Sequence, residues 1–172
     1  MQILQTERTI IDTITLDDAE FFVSLVNSPE WLRFIGDRSV SNVADARHYL
    51  ETGFLRCYRE NGFGYYLVRT VDRTPIGICG FLKKTYLDNV DFGFALHPDW
   101  YGQGYGFESA NAVFNYGIRS YAFKIVDAVT SPDNIRSKRL LSKLGFTREG
   151  TVDAKDGISE AELYRWRTSI SK

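Results

Sequence analysis

Three glycines repeat at every second position in Trp100-Tyr101-Gly102-Gln103-Gly104-Tyr105-Gly106. Between an extended segment and a helix, such a run has a specific chemical use. The first N–H groups of a helix have no partner within it, and the helix dipole adds positive potential at that end. A phosphate approaches those N–H groups only where no Cβ intervenes, which is what glycine provides. Two familiar phosphate sites do not fit. No Gly-Lys-Ser or Gly-Lys-Thr is present, which argues against a P-loop nucleotidase. The Gly-x-Gly-x-Gly spacing is also not the Gly-x-Gly-x-x-Gly of dinucleotide sites. On glycines alone, a plain tight turn is an equal reading. A second pair, Asn134 and Ser137, lies three residues apart at a helix start, so both can face one side. Asn134 also suits the N-cap of that helix.

The elements that must position these residues are legible in outline. Residues 9–13 are rich in β-branched side chains and read as a strand. Thr15 with Asp18 three residues on marks a helix start, the helix running to about Val26. A second helix begins after Ser41 or Asn42, with Ala46, Tyr49, Leu50, Gly53, Phe54 and Cys57 on one face. Residues 65–71 and 76–82 read as strands joined by a hairpin through Asp72-Arg73-Thr74-Pro75. Residues 90–97 alternate: Val90, Phe92, Phe94 and Leu96 point one way, and Asp91, Gly93, Ala95 and His97 the other. After the glycine run, Phe107, Ala110, Phe114 and Ile118 form a helical stripe. Then come a strand (125–130) and a helix announced by Pro132-Asp133-Asn134, with Leu140, Leu141 and Leu144 buried and Gly145 as terminator. Strands at 146–152 and 161–166 close the chain. Such mixing predicts an α/β or α+β domain with a mixed sheet.

The whole chain, residues 1–172, reads as one domain, without internal repeats or low-complexity linkers. A net charge of −1 supplies no general basic field, so neither nucleic acid nor an anionic membrane is an expected partner. No apolar run approaches the ~20 residues that span a bilayer, and the start lacks a signal-peptide pattern. Cys57 and Cys79 have no metal or redox spacing, and His48 and His97 are the only histidines. A cytoplasmic protein with reduced thiols and no metal is the expectation.

The segments together resemble the GNAT superfamily of acyl-CoA N-acyltransferases, most of all the branch of RimJ/RimL-type ribosomal-protein N-terminal acetyltransferases. Tyr101 through Glu108 is similar to that branch's pattern of an aromatic, Gly, x, Gly, aromatic or aliphatic, small residue, x and Glu. It departs from the wider family motif at Tyr101, where Gln or Arg is usual, and carries Gly106 where the branch often has Ala. Asn134-Ile135-Arg136-Ser137 through Lys143-Leu144-Gly145-Phe146 resembles a second motif, and Thr6-Glu7-Arg8 before the first strand is also typical. The resemblance covers almost the whole chain.

It implies a mostly antiparallel central sheet of about seven strands with about four helices, splayed between the fourth and fifth strands around acetyl-CoA. The diphosphate is expected on the N–H groups from Gly102 to Gly106, with Tyr101, Gln103 and Tyr105 in the same cofactor-binding turn. The pantetheine arm is expected along the backbone of Phe94, Ala95 and Leu96, in a strand that commonly carries a bulge. Acetyl transfer to an amine needs a base, a donor to the thioester oxygen and help for the departing thiolate. Asp91 is the favoured base, with a backbone or lysine partner at the sheet edge as the equal alternative; Glu108, Glu160 and Glu162 are lesser candidates. Ser137 is the expected donor to the sulfur, with Asn134 positioning the cofactor. Backbone N–H near Ala95 and Leu96 is expected to face the oxyanion.

Arg136, Lys138, Arg139 and Lys143 form a local basic patch that suits the CoA 3′-phosphate or a merely solvated face. Trp31, Phe34, Asp37 and Arg38 fall where the superfamily builds its acceptor pocket; a loop pinned by Trp31 and Phe34 is the alternative. Tyr86, Tyr164 and Trp166 are further candidates for that cleft. The implied activity is transfer of acetyl from acetyl-CoA, as co-substrate, to a protein N-terminus or a small amine, by a monomer or homodimer. A non-catalytic acyl-CoA sensor or scaffold is the competing reading.

Overall fold

The β-branched segment Thr9–Thr13 is a strand with a neighbour on each side. One neighbour is a strand the sequence did not announce, β1 (Gln2–Gln5), so Thr9–Thr13 is β2. Beyond it lie β3 (Tyr65–Thr70), β4 (Pro75–Leu82), β5 (Val90–Leu96), β6 (Ile125–Thr130), β7 (Thr147–Ala154) and β8 (Ile158–Arg167). The computed structural model describes residues 1–154 and 158–168. Across the sheet the order is β1-β2-β3-β4-β5-β6-β8-β7, eight strands where about seven were expected. The four residues of β1, Gln-Ile-Leu-Gln, are too few for a period-two pattern to stand out.

Helices cover both faces. Thr15 and Asp18 cap a 3₁₀ turn (Leu16–Asp18), with Asp18 Oδ2 accepting from the Thr15 amide at 2.8 Å, and α1 (Ala19–Val26) follows. Next come α2 (Pro29–Phe34), α3 (Val43–Leu50) and α4 (Arg56–Asn61), the last two joined by a π-helical segment at Glu51–Leu55. The single expected helix after Asn42 is thus three joined pieces. The segment at Trp31, for which a pinned loop was the alternative reading, is helical, because Pro29 sits at its first turn after Ser28, a position that suits proline. With α5 (Tyr105–Tyr121) and α6 (Ile135–Lys143), the described residues hold six α-helices where about four were expected.

Each sheet face buries its own apolar cluster. On the α5 side Phe81, Phe92, Phe114, Leu141 and Phe146 meet; on the α1 side Phe22, Leu25, Trp31, Leu50, Phe54 and Leu67 do. Each such side chain contributes about 1.5–3 kcal/mol on burial. α5 lies close to the sheet because Gly117 faces the Phe81 ring, where a Cβ would collide with it.

The sheet is antiparallel except at its centre. β5 and β6 run parallel and pair only at Val90↔Val126 and Asp91↔Asp127. β5 nevertheless stays paired to β4 from Asp91 through Leu96. From Phe92 onward, then, β5 and β6 diverge and leave a wedge in the middle of the sheet, as expected between the fourth and fifth of the anticipated strands. The expected bulge is not seen against β4: the register from Leu82↔Asp91 to Gly77↔Leu96 is unbroken. The alternation therefore holds without a slip. Val90 and Phe92 belong to the α5-side cluster with Phe94 and Leu96 packed on it, and Ala95 packs on the opposite cluster.

Candidate active site

The wedge opens into a cavity of about 520 Å³. Its wall contains Phe94, Ala95 and Leu96 from β5, Tyr101, Gly102, Gly104 and Gly106 from the turn, and Asn134 and Ser137 from α6. Asp91 also lines it, as do Trp31, Phe34 and Arg38. Residues expected to act together but distant in sequence thus share one space. Gln103, Tyr105 and Asp37 are not in that wall. The Gln103 carbonyl accepts from Arg8 Nη1 at 2.9 Å, the Tyr105 ring lies 4.7 Å beneath the Arg8 guanidinium, and Asp37 is exposed with its Oδ1 accepting from the Ser39 amide at 2.7 Å.

The turn is built as its glycines require. Gly102 (φ +73°) and Gly104 (φ +87°) are left-handed, a conformation other residues rarely adopt. Gly104 is the N-cap of α5, so the free N–H groups that follow stand at the cavity. A Cβ on Gly102 would meet nothing within 4 Å, so space for a ligand exists there. Gly106 differs. Its φ is not positive, and a Cβ would sit 3.4 Å from Leu96 Cδ1, an ordinary contact that alanine can make.

Asn134 performs its capping role, its Oδ1 accepting from the Ser137 amide at 3.2 Å. Because Asn134 begins α6 and Ser137 is in the first turn, both half-buried side chains reach the same wall. Arg136 stacks on Tyr101 with its Cζ 4.7 Å from the ring centroid. Burial raises the Tyr101 phenol above its usual range, Glu30 adding to the effect and Arg136 opposing it, so it is neutral near pH 7. Arg136, Arg139 and Lys143 border the cavity, whereas Lys138 turns away to Glu162 at 3.1 Å and to the Pro132 carbonyl.

Of the four carboxylates weighed from sequence, Asp91 alone lines the cavity among the described residues. It is 2% exposed and pairs with Lys84 Nζ at 3.4 Å. Beside it on β6, Asp127 is fully buried and held by Arg165 through bonds of 2.6 and 3.0 Å. Glu162 is engaged by Lys138, Arg148 and Tyr164. Burial works to raise its carboxyl, but these donors outweigh that and hold it below the usual range. Glu108 is similarly occupied, by Thr6 and Arg8, and Glu160 is exposed.

The end of the cavity toward α2 is mostly aromatic, with Trp31, Phe34, Tyr49, Phe54 and Tyr65, plus Glu30, Arg38 and Lys84. Tyr164 and Trp166 do not join it. They pack with the α5-side cluster, Trp166 edge-on to Phe114 at 5.3 Å. Tyr86 is likewise not in the wall and lies under Lys84 Nζ, 5.6 Å from its ring centroid. Tyr65 and Lys84 were missed in sequence. The Tyr65 hydroxyl rests against Gly93, where any Cβ would displace it, so Gly93 is the sequence sign that a bulky group crosses β5 there. Lys84 follows β4 in a non-repetitive connection and gave no periodic signal. Among the described residues, no group of three or more His, Cys, Asp or Glu could hold a metal, and no helix is long and apolar enough to cross a membrane.

Comparison with known proteins gives a consistent picture. Residues 8–147 match the family described as the acetyltransferase (GNAT) domain. The chain is 29% identical over 152 residues to the N-acetyltransferase YoaA of Bacillus subtilis, itself uncharacterised, covering 87% of this chain and 85% of that protein. An acetyltransferase from Agrobacterium tumefaciens superposes with a TM-score of 0.82 at 19% identity, covering 98% of this chain and 95% of that one. RimL, described as a ribosomal alpha-N-protein acetyltransferase in complex with coenzyme A, superposes with a TM-score of 0.78 at 15% identity, covering 97% and 98%.

Proposed function

Since the chain belongs to the acetyltransferase (GNAT) domain family and is an N-acetyltransferase, we propose that it transfers the acetyl group of acetyl-CoA to a primary amine held at the aromatic end of the cavity. One observation carries this reading: the wedge between β5 and β6 runs continuously from the N-terminus of α5 to Asp91. The residues present fit coenzyme A. The left-handed Gly102 and Gly104 leave a cradle that a side chain would fill or strain. The amides of residues 104–106 suit a diphosphate, and Arg136, Arg139 and Lys143 suit the 3′-phosphate. From Phe92 to Leu96 β5 has no β6 partner, so the N–H and C=O groups that the β4 register turns outward, those of Phe92, Phe94 and Leu96, are available to an extended amide arm.

Acetyl-CoA supplies an activated acyl thioester. Asp91, buried beside Lys84, receives a proton from the incoming amine, directly or through water. The backbone N–H of Leu96, which the β4 register turns away from β4, faces the acyl oxygen, and the Ser137 hydroxyl donates to the departing sulfur. Trp31, Phe34 and Tyr65 enclose the carbon skeleton of the acceptor and keep water from the reacting atoms. The acceptor amine is a protein α-amine, the class named for RimL, or a small-molecule amine. The test is thiol release from acetyl-CoA across N-terminal peptides and small amines. Amine-dependent release is expected for at least one class; no binding of acetyl-CoA by the purified protein would end the proposal.

A further inference from the structure

Thr6-Glu7-Arg8 stands before β2 and lies outside the cavity wall, yet it grips the glycine turn almost a hundred residues later. The Thr6 hydroxyl donates to Glu108 Oε1 at 2.6 Å, and the Arg8 amide donates to the same oxygen at 2.9 Å. Arg8 Nε and Nη2 both lie 2.6 Å from Glu108 Oε2. With the guanidinium fixed in this way, Nη1 donates to the Gln103 carbonyl at 2.9 Å and the plane lies over the Tyr105 ring. Arg8 Nη2 comes within 3.1 Å of the place a Gly104 Cβ would occupy.

We propose that Arg8, locked by Glu108, is a positioning residue that sets which way the diphosphate-binding amides point. The reason is peptide planarity. The described chain has no cis bonds, so the Gln103 carbonyl and the Gly104 N–H belong to one trans unit and point in opposite directions. A carbonyl tied to Arg8 on one side directs the Gly104 N–H to the other, and Gly104 lines the cavity while Gln103 does not. Left-handed glycines on both sides of Gln103 make this peptide easy to reorient, so the hold is needed. Arg8 works without touching the ligand. A lysine has a single charged head and cannot hold Glu108 and the Gln103 carbonyl together in fork geometry.

This inference rests on the proposed use of coenzyme A, and its test separates the two. CoA binding is measured by calorimetry, acetyl-CoA and amine kinetics at steady state, and thermal unfolding alongside, for the wild type, Arg8→Ala, Arg8→Lys and Glu108→Gln. Arg8→Ala is expected to raise both the CoA Kd and the KM for acetyl-CoA about tenfold, leaving kcat and the amine KM within about twofold. Arg8→Lys should restore only part of that loss. Glu108→Gln should weaken CoA in the same direction, and combining it with Arg8→Ala should add little. If Arg8→Ala fails to fold, Arg8→Lys and Glu108→Gln carry the same test. Lowered melting temperatures with an unchanged CoA Kd in the folded variants would reduce the contact to plain stability and overturn the inference alone. A wild type that binds no CoA would overturn the functional reading with it.

Discussion

The two ends of the cavity are built by different means. The end toward α5 and α6 is shaped mainly by backbone, with left-handed glycines, a helix N-terminus, an unpaired strand edge and one Asn cap, and is bordered by the side chains of Tyr101, Arg136, Ser137, Arg139 and Lys143. The aromatic end, proposed for the acceptor, is made of side chains from α2, the π-helical segment, β3 and the connection after β4, with Trp31, Phe54, Tyr65 and Lys84 converging from separate elements. A backbone site is set by local sequence and recognises a ligand of constant structure. A site made of side chains changes with each substitution.

Substitutions can break or sharpen that contrast. The largest effect is expected from Gly104→Glu, which forces a side chain and a negative charge into a left-handed position at the α5 terminus. CoA binding followed by calorimetry should fall by on the order of a hundredfold or more. Next is Asp91→Asn at the other end. It should lower kcat about a hundredfold, with the acetyl-CoA KM within about twofold in steady-state kinetics. A parallel loss of CoA affinity would mean that Asp91 belongs to the backbone end after all.

A moderate effect is expected from pH. Burial tends to raise the Glu108 carboxyl, but Thr6 and Arg8 prevail and hold it below its ordinary value. A depressed carboxyl lends stability that is present above its unfolded value and is lost as pH falls through the folded one. Melting temperature should therefore drop more steeply for the wild type than for Glu108→Gln as pH is lowered below about 4.5. Equal slopes would remove Glu108 from the account. The smallest effect is expected from Gly106→Ala, whose methyl makes only ordinary contacts with Leu96 and Leu140. Its CoA affinity should stay within about twofold, measured beside Gly104→Glu.

The same contrast explains what could be read in the sequence. Gly102, Gly104, Asn134 and Ser137 were visible because turns and caps are written in consecutive residues. The alternation at residues 90–97 placed Asp91 on the face opposite Phe92 and Phe94, since period two survives wherever one face is buried, and the wedge is bordered by residues of both faces. β1 and α2 were missed because four and six residues hold too little pattern. Tyr65 and Lys84 were missed because nothing near them in the chain reveals that β3 and the end of β4 lie against the wedge. Asp37 was included for its charge and position, yet the Ser39 amide claims its oxygen outside the cavity. Tyr164 and Trp166 were further candidates for the acceptor cleft, whereas their rings fill the core behind α5.

A crystal structure of the protein grown with coenzyme A tests the central claim most directly. The account predicts diphosphate oxygens about 3 Å from the backbone nitrogens of residues 104–106, the pantetheine amides paired with the free edge of β5, and the sulfur pointing toward Ser137. A diphosphate bound away from the α5 terminus, or a wedge filled by protein side chains once the ligand is present, would contradict it.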